Sequence, residues 1–182
     1  MSGVTLWLIR HGESTSNRGE WSSDPHQAPL TVQGEEQAQL AAEQVTHMPD
    51  LIVVSPALRA QQSALPIIAR WPACTVETWP IQEFVYLSPT NYRYKTPEER
   101  RVAKERYWSQ AEPAYCDGTD AESFAHFMRR LNTFHEQILT RAGFIVVVGH
   151  GQFFKAYQLG LREGFACTSA WMQHYRHIET SN

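Results

Sequence analysis

The sequence is poor in cysteine. It has three in 182 residues, at 74, 116 and 167, too scattered and odd in number for a disulfide framework, and no Cys-x-x-Cys for a zinc ribbon. Thiols so placed read as reduced and buried in a cytoplasmic protein. No apolar run approaches membrane-spanning length, and the first one, residues 4–9, is too short for a signal-peptide core. Strong charge of one sign is missing as well, with a net charge of −3 and 19% charged residues. That excludes a broad surface for nucleic acid or for an anionic membrane, so any bound anion needs a local cluster of cations. Repeats, low-complexity tracts and an interdomain linker are absent, and the length fits a single domain over residues 1–182. Apolar residues, at 42%, suffice for a substantial core.

Three apolar runs, 4–9, 51–54 and 144–148, are too short for helices and mostly continuous. Such runs read as parallel strands covered on both faces. Each gives way at once to polar or small residues: Arg10-His11-Gly12, Ser55-Pro56 and Gly149-His150-Gly151. Open α/β sheets bind ligands beyond the carboxyl ends of their strands, so these junctions belong to the functional edge. Between the runs, residues 33–47 are rich in Ala, Glu and Gln, and 57–70 carry Leu58, Leu65 and Ile68 at helical spacing. Residues 120–141 show one apolar stripe through Phe124, Phe127, Leu131, Phe134 and Ile138, with a capping box from Thr119 to Glu122 and Gly143 beyond the end. Thr96-Pro97-Glu98-Glu99 is a second box, opening a shorter helix to about Trp108. Residues 84–118, rich in Tyr, Arg and Pro, break the strand–helix rhythm and read as an insertion or lid over the active edge. The fold class expected is α/β, a three-layer sandwich around a mostly parallel sheet with helices on both faces.

The first junction continues as Leu8-Ile9-Arg10-His11-Gly12-Glu13-Ser14-Thr15-Ser16-Asn17. An imidazole at a strand tip can attack phosphorus, and the adjacent guanidinium can bind the oxygens that carry the charge. Gly12 lets the backbone turn and a ligand approach. Ser55-Pro56-Ala57-Leu58-Arg59-Ala60 places a second Arg in the first turn after a strand, and Glu83 stands just before the insertion. Together with Pro29-Leu30-Thr31, Gly34, Gln37-Ala38 and Gly149-His150-Gly151, these motifs resemble the histidine phosphatase (phosphoglycerate-mutase-like) superfamily, through Leu161.

The resemblance implies that His11 becomes phosphohistidine, that Arg10, Arg59 and His150 bind the phosphoryl group, and that Glu83 gives and takes the proton. It implies that Asn17 borders the pocket and that the Gln152 N–H is a further donor. No cofactor is implied, since two Arg and a His can supply the positive charge that other phosphoryl-transfer enzymes take from magnesium. His11 must then attack through a neutral nitrogen, its other nitrogen held by a hydrogen bond that fixes the tautomer. The expected activity is hydrolysis of small phosphate monoesters, with no nucleic-acid or membrane partner. The alternatives are a phosphoglycerate mutase and a phosphate-binding module with little turnover. Mutases of the family follow the pre-insertion Glu with Arg-His-Tyr-Gly, where this chain has Phe84-Val85-Tyr86-Leu87. Arg93, Tyr94 and Lys95 suggest part of a substrate lid, and with Tyr86 they suggest a substrate with an anionic or aromatic moiety beyond the phosphate. His174-x-x-His177 lacks further metal ligands and, among Trp171, Met172 and Tyr175, reads as a terminal edge strand.

Overall fold

The computed structural model describes residues 3–20 and 24–180. Four strands, β1 (Val4–Arg10), β2 (Leu51–Val54), β3 (Val76–Thr78) and β4 (Gly143–Gly149), form one parallel sheet in the order β1-β4-β2-β3. Val4 pairs with Gly143 and Arg10 with Gly149, while Val54 pairs with Val148, so three carboxyl ends arrive side by side. β2 and β4 are the doubly covered strands that their apolar runs imply, with Ile52, Val53, Val146, Val147 and Val148 fully buried. β1 departs from that expectation. It lies at the sheet edge, so its side chains are only partly covered, and Trp7 is 38% exposed. β3 was not legible, because three residues are too few to show a period.

Two helices cover one face of this sheet. α1 (Val32–Gln44) is capped by the Thr31 side chain, which accepts from the Gly34 N–H, and α2 (Leu58–Arg70) follows β2. Ala42, Ala60, Ala64 and Ile67 from these helices pack on Ile52, Val54, Val146 and Val148. Each large apolar side chain so buried stabilises the fold by about 1.5–3 kcal/mol. Gly143 opens β4 at φ +85°, and a Cβ there would lie 2.2 Å from the Asp50 carboxylate, which accepts from the Phe144 N–H.

The remaining helices among the described residues are α3 (Pro97–Gln110), α4 (Phe124–Leu139), α5 (Gly151–Glu163) and α6 (Ser169–Thr180). The chain divides into two compact units, one of residues up to Glu83 with Phe134–Phe154, the other of Phe84–Thr133 with the chain from Lys155 on. In the second unit α3 opens with the expected Thr96–Glu99 capping box. Tyr107 and Trp108 of α3 join Phe84, Tyr86, Phe124, Phe127 and Tyr175 in one aromatic core, with Phe84 stacked on Phe127 at 4.5 Å.

Three sequence expectations are corrected here. α4 starts at Phe124 rather than at residue 120, because the Asp120 carboxylate is taken by Ser88 Oγ and the Thr90 N–H, and Ser123 Oγ accepts from the His126 N–H instead. The segment around His174 and His177 is helix α6, not a strand. Trp171 and Tyr175, four residues apart, stack on one helical face at 6.0 Å, and His174 pairs with Glu163. Cys116 and Cys167 are exposed in loops and Cys74 is half-buried, so the thiols are free but not buried. No described helix is long and apolar enough to cross a membrane.

Candidate active site

The carboxyl ends of β1, β2 and β4 carry the polar junctions. The His11 N–H donates to the Gly149 carbonyl and the Ser55 N–H to the Val148 carbonyl, both at 3.0 Å, so strand pairing runs on one residue into the site. His11, Ser55 and His150 are thereby set next to one another. Arg59 comes in from the first turn of α2, which begins three residues after Ser55. His11, Ser55, Arg59 and His150 are all buried. The structure therefore brings Arg10, His11, Arg59 and His150 together as the spacing implied.

The proton positions follow from which partners can only donate. Arg59 Nε, always protonated, lies 3.1 Å from His11 Nε2, so that nitrogen carries no proton. The His11 proton is then on Nδ1, which donates to the Gly12 carbonyl at 2.7 Å. Likewise Arg59 Nη2 donates to His150 Nδ1 at 3.2 Å, leaving Nε2–H of His150 to donate to Ser55 Oγ at 2.8 Å. The third Arg59 nitrogen, Nη1, donates to the Pro25 carbonyl at 2.6 Å. One guanidinium thus sets the tautomer of both imidazoles.

Burial above all, helped by the Arg59 and Arg10 charges and opposed by the Gly12 hydrogen bond, lowers the His11 pKa from its ordinary 6.5 to about 4. His11 is therefore neutral at physiological pH. The unfolded chain binds a proton on this ring below about 6.5 and the folded chain only below about 4, so stability is lost as pH falls through that window. The expected loss is about 3 kcal/mol. Urea unfolding of wild type and His11→Ala at pH 7 and pH 4 checks this: the wild type should fall by that much more than the variant.

The glycines act through packing as much as through ligand access. A Cβ on Gly12 would lie 2.2 Å from the Gly34 carbonyl oxygen of α1. We expect Gly12→Ala to cost about 2–3 kcal/mol in urea unfolding, as an overpacked backbone contact that cannot give way. A Cβ on Gly149 would meet the Phe154 ring at 2.8 Å, whereas one on Gly151 would stand 3.5 Å from the Arg10 side chain, an ordinary contact. Packing against Phe154 is thus what requires Gly149.

Arg59 is also lowered in pKa, first by burial and then by Arg10, with Glu83 opposing. Two guanidiniums close enough to disfavour each other's charge gain when an anion sits between them. Arg10 makes no hydrogen bond or ion pair with any described residue. Glu83 faces the first turn of α5, where its Oε2 is 3.4 Å from the Gln152 N–H, so that amide meets Glu83. Asn17 Oδ1 accepts from Ser14 N–H at 3.0 Å and Ser14 Oγ at 2.8 Å. A cavity of about 300 Å³ is lined by Arg10, His11, Glu13, Asn17 and Gln37.

The lid candidates lie in the second unit. Tyr86 packs on Tyr107 and Trp108 in its aromatic core, Lys95 pairs with Glu99, and Arg93 covers the ring of Tyr94, which is 85% exposed. The sequence reading gave no role to Ser55 or Ser63. Ser63 Oγ accepts from the Gly12 N–H at 3.0 Å and donates to the Arg59 carbonyl at 2.7 Å, tying the His11 turn to α2. Its position four residues after Arg59 on one helix was the signal that could have found it. Among the described residues no group of His, Cys, Asp and Glu is arranged to hold a metal.

The family model for the histidine phosphatase superfamily (branch 1) matches residues 6–177. No curated protein matches the sequence. Among solved structures, a proposed alpha-ribazole-5'-P phosphatase from Escherichia coli str. K-12 superimposes with a TM-score of 0.71 and 24% identity, over 94% of this chain and 84% of that one. The alpha-ribazole phosphatase from Shigella flexneri gives 0.69 and 23%, over 93% and 83%. Mycobacterial glucosyl-3-phosphoglycerate phosphatase, solved with VO3, gives 0.64 and 21%, over 91% and 82%. At these identities the likeness establishes a shared fold.

Proposed function

The chain belongs to the histidine phosphatase superfamily (branch 1), and on that premise we propose that it hydrolyses small phosphate monoesters through a phosphohistidine on His11. The observation that carries this reading is the proton-free Nε2 of a neutral, buried His11, held by Arg59 at 3.1 Å beside a second guanidinium. The lone pair that accepts from Arg59 becomes the one that attacks phosphorus once a phosphoryl oxygen takes over that N–H.

Arg10 and Arg59 hold the phosphoryl oxygens, His150 joins them by exchanging its hydrogen bond to Ser55 for one to phosphate, and Asn17 and Gly12 border the pocket. His11 Nε2 forms a bond to phosphorus as the ester oxygen leaves, and the protonated Glu83 carboxyl gives that oxygen its proton. Glu83, now a carboxylate, takes a proton from water as the water oxygen attacks phosphorus. The P–N bond then breaks, phosphate departs, and Glu83 is protonated again. The positive charge of the two Arg serves in place of a metal ion, so turnover proceeds in excess chelator. The soluble, cytoplasmic setting read from the sequence belongs to this proposal.

The test is rapid quenching of the enzyme with p-nitrophenyl phosphate in excess chelator, followed by mass spectrometry of the peptide containing His11. A phosphoryl group on His11 is expected. Turnover that depends on added metal, or a phosphoryl group elsewhere, overturns the mechanism. Glu83→Gln should slow alkyl phosphates by about 10²–10³-fold and aryl phosphates far less, since a phenolate needs little protonation to leave. Equal losses on both substrates would count against Glu83 as the acid.

A further inference from the structure

Strand β1 leaves one long edge of the sheet open. The Gly143 N–H donates to the Gly3 carbonyl at 3.3 Å, and the His11 N–H to the Gly149 carbonyl at 3.0 Å. Residues 3 and 11 therefore turn their backbone groups toward β4, and by strand alternation so do Thr5, Trp7 and Ile9. Val4, Leu6, Leu8 and Arg10 turn theirs onto the outer edge. No other described strand lies there, and no described residue bonds to these amides and carbonyls. We infer that this edge pairs with the same edge of a second copy of the chain, antiparallel about Trp7, so that two sheets join into one across a dimer.

Sheet edges that stay single are blunted by a charge, a proline, a bulge or shortness. β3, the opposite edge, is three residues long and holds Glu77, which pairs with Arg141. β1 lacks these devices. Its seven residues, Val-Thr-Leu-Trp-Leu-Ile-Arg, pair with β4 without a break, include no proline and carry a charge only at the last position. Branched and aromatic residues, which favour strands, fill most of it. Trp7 at its centre is 38% exposed, although its ring already packs edge-on against Phe144 at 5.4 Å.

The strand is complementary to itself. A twofold axis at Trp7 sets Leu6 opposite Leu8, and Val4 opposite Arg10, of the second copy. These are the residues whose amides and carbonyls point outward, so each such pair exchanges both hydrogen bonds. Thr5 meets Ile9 and Trp7 meets Trp7 in the closer, non-hydrogen-bonded pairs, on the face where Trp7 touches Phe144. The two indoles then cover each other's exposed surface. No like charges face one another, since Arg10 lies opposite Val4. A register shifted by one residue would set outward groups against inward ones, and a shift by two would leave outward groups unpaired within the strand. An arbitrary strand would not match these positions, whereas a second copy does so by symmetry. The two His11 rings stand at opposite ends of the paired strands, roughly 27 Å apart at about 3.4 Å per residue.

Sedimentation equilibrium of the full chain tests this. A single strand pair is a small interface, so a dimer of twice 20.9 kDa is expected at about 100 μM and monomer at about 1 μM. Trp7→Lys sets two ammonium groups at the axis and should raise the midpoint concentration by roughly tenfold or more, with its fold checked by circular dichroism. Cysteine crosslinking reads the register without that variant. With Cys116→Ser and Cys167→Ser removing the exposed thiols, Trp7→Cys should form an intermolecular disulfide on oxidation with copper phenanthroline, because Cβ atoms in such a pair are about 4.5–5.5 Å apart. Thr5→Cys in the same background should not, since its own counterpart lies roughly 14 Å away. If Trp7→Lys does not fold, the two crosslinking rates decide. Monomer at about 100 μM, a folded Trp7→Lys that dimerises as wild type does, or Thr5→Cys crosslinking as fast as Trp7→Cys overturns the proposal.

Discussion

His11→Ala should reduce hydrolysis of p-nitrophenyl phosphate by at least about 10⁴-fold, leaving the fold intact. The size follows from the covalent route. Without Nε2 there is no phosphoenzyme, and water would have to attack a phosphoryl group still in its ground-state position. Arg10 and Arg59 would continue to hold that group, so phosphate should still inhibit binding of the ester. The ring is buried at a strand end and contacts His150 edge-on at 5.0 Å, but it is no member of the apolar core. Removing it also removes a group forced to stay neutral, which is why the variant should lose less stability in acid than wild type. Steady-state assays with circular dichroism on the same preparation check both statements. Residual activity within about tenfold of wild type would exclude His11 as the nucleophile.

The second large effect is expected from Arg59→Lys, about 10²–10³-fold in kcat/KM with the positive charge preserved. Each of the three Arg59 nitrogens has its own partner, Nε with His11, Nη1 with the Pro25 carbonyl and Nη2 with His150. A lysine has one nitrogen and can satisfy only one of these directions. What is lost is therefore geometry, including the tautomer setting of both imidazoles, which NMR of the ring nitrogens would report. Inhibition by phosphate should weaken in parallel, since the planar fork is absent. A loss below about threefold would mean that charge alone matters at this position.

Much of the site was legible because its parts are local. Arg10 and His11 follow an apolar run, and Gly149-His150-Gly151 ends another. A strand that stops must deliver its next residues at the sheet edge. The helices at 33–47 and 57–70 were legible from composition and spacing, and α1 and α2 fall within a few residues of them. The reading went astray where a distant partner outweighed a local signal. Asp120 looked like part of a helix start, but Ser88 and Thr90 from a separate loop claim its carboxylate. Trp171, Met172 and Tyr175 fit more than one period when seen alone, and the stacking of Trp171 on Tyr175 selects the helix.

The sequence by itself determined which groups meet: an imidazole, two guanidiniums, a carboxylate and a parallel α/β sheet to present them. These depend on residue type and short spacing, which the linear chain preserves. Only the tertiary structure decided which nitrogen of His11 carries no proton, which end of the Gln37 carboxamide faces the backbone, and why Gly12 must lack a side chain. Each of those depends on a contact between segments far apart in the chain, Arg59 with His11, Gln37 with Glu13, Gly34 with Gly12. Hydrogen-bond direction and van der Waals contact fall off within a few ångströms, so residue type cannot encode them until folding has set the distances.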